Sequence, residues 1–175
     1  MYSDNTLTPK ETVRLCALGS LASEALSYAE LANSIRYFID RVQGPSIDVL
    51  GASVELLKYE GLISQMDDNN GRLYLTKKGK LELNELLTAD IRPNDASYNK
   101  LIEALKFRFL HLLEPKEKMH QADILIERIE LEKLRLTDLN DLYKDDKSYF
   151  KVWLNQDIKN LSKRLRWLKE FKKKL

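Results

Sequence analysis

SIDVLGASVELLKYEGLISQMDDNNGRLYLTKKGK, residues 46–80, changes its hydrophobic period partway along, and that change decides the fold. Leu50, Val54 and Leu57 recur at spacings of four and three, which lines one face of a helix from about Ser46 to Glu60. Gly61 ends that helix. Leu62 to Asp67 and Arg72 to Leu75 then read as two short strands. Between them, Asp68-Asn69-Asn70-Gly71 carries the Asn-Gly signal of a tight hairpin. Thr76 caps a further helix that runs through Leu83, Leu86 and Leu87.

Upstream, Thr8-Pro9-Lys10-Glu11 is a helix start: Thr8 caps, Pro9 takes the first helical position and Glu11 closes a capping box. Val13, Leu15, Cys16, Leu18 and Leu21 carry that helix to about Ala22. After a break at Glu24 to Ser27, Leu31, Ile35, Phe38, Ile39 and Val42 mark a second helix from Tyr28 to about Val42. Gln43-Gly44-Pro45-Ser46 stops it and restarts the chain. Three helices, a hairpin and a connecting helix is the order of a winged helix-turn-helix. The third helix is then expected in a major groove and the 62–76 hairpin along the phosphates beside it.

Downstream, Ala89 to Ser97 is polar and carries Pro93, so the boundary is expected there: residues 1–90 a winged-helix DNA-binding domain, 91–175 a helical dimerisation domain. The chain is expected to be mainly α with one small β-hairpin. Helices are expected at Tyr98 to Leu113, at Pro115 to about Tyr143, and from the Ser148 cap to the C-terminus. In the last of these Leu154, Ile158, Leu161, Leu165 and Leu168 repeat at 4, 3, 4 and 3, a heptad seam that wants a partner helix. Trp153, Trp167 and Phe171 widen its apolar face. With Trp153, these five seam residues are the expected dimer contacts.

Leu50-x3-Val54-x2-Leu57-x3-Gly61-Leu62-Ile63, followed by Asn70-Gly71-Arg72-Leu73-Tyr74-Leu75-Thr76-x2-Gly79, resembles the winged-helix domain of PadR-like transcriptional regulators, including the virulence-activator relatives. In those proteins a similar stretch joins recognition helix, wing and connecting helix. Their helical C-terminal region, ending in a dimer helix rich in tryptophan and leucine, is similar to Trp153 through Leu168. The resemblance implies a homodimeric regulator of transcription whose partners are double-stranded DNA and a second copy of itself. This chain departs from the pattern at Asp48, Gly51 and Ala52, where the family often carries a glycine, an aromatic and a proline. No base contact carries over at those positions.

Among the DNA-binding candidates, Ser46, Asp48, Ala52, Ser53 and Lys58 belong to the third helix, whose outward side has no arginine and no amide to read guanine or adenine. Small Gly51, Ala52 and Ser53 would let its backbone approach closely, and the serine hydroxyls would bond phosphates or bases. Arg72, Lys77 and Lys78 supply cations beside the turn and after the second strand. Lysines at a helix start oppose its dipole and so call for another reason to be there. Arg36 and Arg41, with Tyr28 and Tyr37 nearby, are secondary candidates. The basic tail from Lys163 to Lys174 reads as dipole compensation and as solubilisation of the leucine seam.

The charge is divided unevenly. Residues 1–90 hold 9 Lys/Arg against 13 Asp/Glu, a net of −4, and residues 91–175 hold 20 against 14, a net of +6. An acidic reading domain is unusual for a DNA binder, and keeps a second reading open: a winged helix used as a protein-interaction module. Phe107, Phe109, Trp153 and Trp167 also admit a small apolar effector in the helical half, although aromatics at helical spacing more commonly form core.

No apolar run approaches the roughly 18–20 residues of a membrane span, and Met1 to Lys10 shows no secretory signal. Cys16 is the single cysteine, which fits a reducing, cytoplasmic setting. His111 and His120 lack companions at metal-ligand spacing. No phosphate loop, nucleophile elbow or HExxH is present, so no enzyme, cofactor or metal is expected.

Overall fold

A computed structural model describes residues 6–44, 53–66, 71–91, 96–144 and 147–175. They form two compact units, Met1–Leu113 and Glu114–Leu175.

The first unit is built around α1 (Pro9–Ser23). The Thr8 side chain accepts the Glu11 amide, and the Glu11 carboxylate accepts the Thr8 amide at 2.7 Å, which closes the expected capping box. Residues Thr12 to Leu21 of α1 are almost all buried, because α2 (Tyr28–Gln43), α3 (Ser53–Tyr59), α4 (Lys77–Thr88) and α5 (Ala96–Phe109) all pack on it. Gly19 makes one of these contacts possible: a β-carbon there would lie 2.5 Å from the Phe109 ring. A second capping box, Ser27 with Glu30, starts α2, and Gly44 at φ 93° ends it. Leu31, Ile35 and Ile39 are its core stripe.

In α3, Val54 and Leu57 are buried as the spacing predicts. The expected start of that helix, including Leu50, lies outside the described residues. Gly61 follows at φ 71°. Strands β1 (Ile63–Gln65) and β2 (Leu73–Leu75) pair antiparallel, Ile63 with Leu75 and Gln65 with Leu73. Ile63, Leu73 and Leu75 turn inward. The strands are shorter than the expected 62–67 and 72–75, and residues 67–70 of the turn lie outside the described set.

One backbone pairing has no counterpart in the local sequence signals. Leu26, in what reads as a break, exchanges two backbone hydrogen bonds with Leu73, at 2.7 and 3.2 Å, and so flanks β2 on the side away from β1.

The polar stretch at 89–97 does not end the first unit. Leu101, Ile102, Leu105 and Phe109 of α5 are buried, and α5 packs on α1 and α2. A 3-10 turn, Leu110–Leu112, follows, and the division between compact units falls after Leu113. Proline and aspartate near residue 93 resemble a linker by composition, yet the next helix returns its apolar face to the same core.

Lys106 of α5 is also inside, 1% exposed, and its ammonium nitrogen donates to the Leu87 and Ala89 carbonyls at 2.7 and 2.6 Å. It thereby satisfies carbonyls at the end of α4 that the helix itself leaves open. Burial pushes its pKa down to about 7, with Asp90 pulling the other way. A neutral amine retains two N–H groups, enough for both carbonyls without a buried charge.

The second unit pairs α6 (Pro115–Leu142) with α7 (Tyr149–Lys172). Lys169 meets Glu130 at 2.6 Å and Lys172 meets Asp123 at 2.5 Å, while Tyr143 stacks edge-on to Phe150, so the two helices run antiparallel. Ala122, Leu125, Ile126 and Ile129 of α6 are buried, as are Leu154 and Leu168 of α7.

Two stability outcomes follow. At Gly79 a β-carbon would fall 2.1 Å from the Leu62 carbonyl oxygen. Gly79→Ala should therefore cost on the order of 2–3 kcal/mol in urea unfolding; an unchanged midpoint would mean that α4 can slide away from the hairpin. For Lys106, the folded pKa lies below the usual 10.5. Stability should therefore be lowest near and below pH 7 and rise toward pH 10, by up to about 1.4 kcal/mol per unit. Lys106→Met should flatten that dependence, and the comparison of the two pH series checks the assignment.

Candidate nucleic-acid interface

α3, the hairpin and the start of α4 are joined by polar contacts that the sequence spacing does not reveal. The Thr76 hydroxyl accepts the Gly79 amide at 3.1 Å and shares its proton between the Gly61 and Leu62 carbonyls, at 2.8 and 3.0 Å. The Thr76 amide donates to the Leu62 carbonyl at 3.1 Å. One residue thus caps α4 and fastens the chain that leaves α3. Lys78 donates to the Glu60 carbonyl at 3.0 Å, and Lys58 donates to the Gln65 side-chain oxygen at 2.9 Å. The first bond gives one lysine at the start of α4 a role there despite the dipole: Lys78 serves the end of α3.

Behind this face, Arg14 of α1 forks between Glu60 and Glu82, at 2.9 and 2.8 Å, and ties the end of α3 and the body of α4 to the central helix. Burial lowers the Arg14 pKa, but hydrogen bonds and charge from the two carboxylates outweigh it, and the net shift is upward. No motif in the sequence marks this residue, because its partners lie 46 and 68 positions away.

The outward side of the assembly carries Glu55, Lys58 and Tyr59 from α3 and Arg72, Tyr74, Lys77, Lys78 and Lys80 around the hairpin, all exposed. Tyr59 is 90% exposed. A cleft of about 170 Å³ separates α3 from the hairpin, with Tyr28, Glu55, Lys58 and Gln65 among its walls. The Glu30 carboxylate is held below its usual pKa by the Ser27 backbone amide and hydroxyl, with the Arg72 charge adding to this. On α2, Asn33, Arg36, Tyr37 and Arg41 share the exposed side, with the Arg41 guanidinium 5.1 Å from the Tyr37 ring centroid.

Of the expected DNA contacts, Lys58, Arg72, Lys77 and Lys78 therefore come together around one edge of the first unit. Ser46, Asp48 and Ala52 lie outside the described residues, and Ser53 is the first residue of α3.

The expected dimer residues divide. Leu154 and Leu168 are fully buried, and Ile158, Leu161 and Leu165 are half-buried, on the side of α7 that meets α6 of the same chain. Trp153 is 55% exposed and Trp167 is 45% exposed, stacked on Phe150 and Phe171 respectively. On α6, Leu131, Leu134 and Leu142 are also exposed.

Cys16 is buried, and burial raises its thiol pKa to about 11 while the nearby Arg108 charge opposes the rise. A thiol held protonated in this way is a poor nucleophile. Arg108 spans the Phe38 and Phe109 rings at 4.6 and 4.9 Å, so it acts as a packing bridge between α2 and α5. Among the described residues, no group of three or more His, Cys, Asp or Glu side chains is placed to hold a metal, and no helix is long and apolar enough to cross a membrane.

Three-helix core, hairpin and connecting helix define a winged-helix protein, here followed by a helical hairpin. The chain matches the family model described as "Putative AphA-like transcriptional regulator" over residues 2–172, and it belongs to that family of transcriptional regulators. The PadR-like resemblance of residues 46–80 holds at the level of this class. A crystal structure of PadR from Bacillus subtilis is similar at 18% sequence identity, covering 95% of this chain and 96% of that one, with a TM-score of 0.40. No curated protein matches the chain.

Proposed function

We propose that this regulator binds double-stranded DNA as a homodimer, with the 46–60 segment in the major groove and the 62–76 hairpin along the flanking phosphates. The observation that carries this reading is the polar junction of α3, hairpin and α4. It ties Lys78 to the end of α3, while Arg72, Lys77 and Lys78 stay exposed around the hairpin. Cations at that edge neutralise phosphates and position a helix whose own side chains carry little base-reading chemistry. Membership of a family of transcriptional regulators supports the same reading.

Dimerisation is assigned to the part of the 91–175 region that its own packing leaves uncovered. The heptad leucines are engaged with α6, so the surface offered to a second copy is the Trp153 and Trp167 side of α7 with Leu131 and Leu134 of α6. The two tryptophans are fourteen residues apart, about four helical turns, and so share a face. A closed dimer would present two reading helices to two half-sites.

A second reading, a protein-interaction module, draws support from the net −4 of residues 1–90 and from Glu55 on the exposed side of α3. Selection from randomised duplexes at low salt separates the two: recovery of no sequence favours the protein partner.

Arg72→Ala with Lys77→Ala should weaken duplex binding regardless of sequence and reduce the log–log salt slope by about 2. An unchanged slope removes the hairpin from the interface. Trp153→Ser with Trp167→Ser should yield monomers of full helicity in sedimentation velocity. A persisting dimer assigns the contact elsewhere.

A further inference from the structure

The positive charge of the helical half is confined to its last helix and tail. Residues 149–175 hold 9 Lys/Arg against 2 Asp/Glu, a net of +7, whereas residues 91–148 hold 11 against 12, a net of −1. Some of the cations of α7 are engaged within the unit. Lys169 meets Glu130 and Lys172 meets Asp123 of α6, and the Arg164 guanidinium lies 4.6 Å from the Trp167 ring centroid. Lys159, Lys163 and Arg166 are exposed, and none of the three meets a carboxylate among the described residues.

The two ordinary roles of cations beside an apolar seam do not cover these three. The helix dipole acts within the last turn, and Lys159 stands thirteen residues before Lys172, the end of α7. At about 100° per residue they lie across the helix from the Leu154 to Leu168 seam, so they do not flank it, as Lys169 and Lys172 do. From Asn155 to Lys173 their side of the helix holds only polar residues, with Trp153 and Trp167 on the adjoining side. Its one carboxylate, Glu170, is held by Lys173 at 2.8 Å.

This chemistry suits one class of partner. Protein interfaces centre on an apolar patch and are depleted in lysine. A helix lying in a membrane surface needs an apolar face beneath its cations. A duplex needs neither: it presents one negative charge per about 1.7 Å of its axis, which flexible ammonium and guanidinium groups neutralise without a pocket. We infer that the side of α7 formed by Lys159, Lys163 and Arg166 is a second contact for double-stranded DNA, made to phosphates without regard to sequence and in a different unit from the α3–hairpin edge. The inference rests on the duplex-binding reading above and adds a surface to it.

Random-sequence duplex is titrated with the full chain across a salt series. Lys159→Gln with Lys163→Gln and Arg166→Gln should reduce the log–log salt slope by about 2.7, roughly 0.9 for each cation removed, with the sedimentation of the free protein unchanged. Lys10→Gln with Lys100→Gln and Lys116→Gln removes the same charge from exposed positions elsewhere and should keep the wild-type slope. An equal fall in both triple variants makes net charge the cause and overturns the contact. An unchanged slope in the α7 variant overturns it too, and leaves the hairpin contact to the separate Arg72 and Lys77 variant. A wild-type chain that binds no duplex at low salt ends both readings. If the α7 variant turns monomeric, or loses only its capture by phosphatidylserine vesicles or polyglutamate, the stripe serves the dimer, a lipid surface or an acidic protein, and the inference falls.

Discussion

Gly79 approaches the Leu62 carbonyl so closely that no other residue fits, and α3, hairpin and α4 take their mutual arrangement from that approach. With the β-carbon absent, the first turn of α4 packs on the base of the hairpin, and Thr76 can bond both Gly61 and Leu62 carbonyls. Lys78 then reaches the end of α3 and Arg14 reaches Glu60 from behind. The start of α4, with Lys77, Lys78 and Lys80, is thus held on the base of the hairpin by a backbone contact.

Electrostatics in the first unit follow from this arrangement more than from net charge. Residues 1–90 are acidic overall, yet several carboxylates are directed inward or into local bonds: Glu11 and Glu30 in capping boxes, Glu60 and Glu82 on Arg14. The cations Arg72, Lys77 and Lys80 stay on the surface. Exposed charges act within about a Debye length, roughly 8–10 Å, so placement outweighs the sum.

The second unit shows how a periodic signal can be right about a helix and open about its partner. Leu154, Ile158, Leu161, Leu165 and Leu168 do form one face, but that face meets α6 of the same chain, and Trp153 and Trp167 lie outside it. A heptad specifies that an apolar stripe must be covered; it does not specify which helix covers it.

Helices α1, α2, α4, α6 and α7, the capping boxes at Thr8 and Ser27, the hairpin and the winged-helix order were all determined by the sequence, because caps, glycine stops and apolar periods act within a few residues of themselves. Only the tertiary structure decided that α5 belongs to the first core, that Leu26 pairs with Leu73, and that Arg14 and Lys106 close contacts with distant carboxylates and carbonyls. Those features join residues far apart in the chain, and their energies come from burial and hydrogen bonding that exist only once the elements have packed.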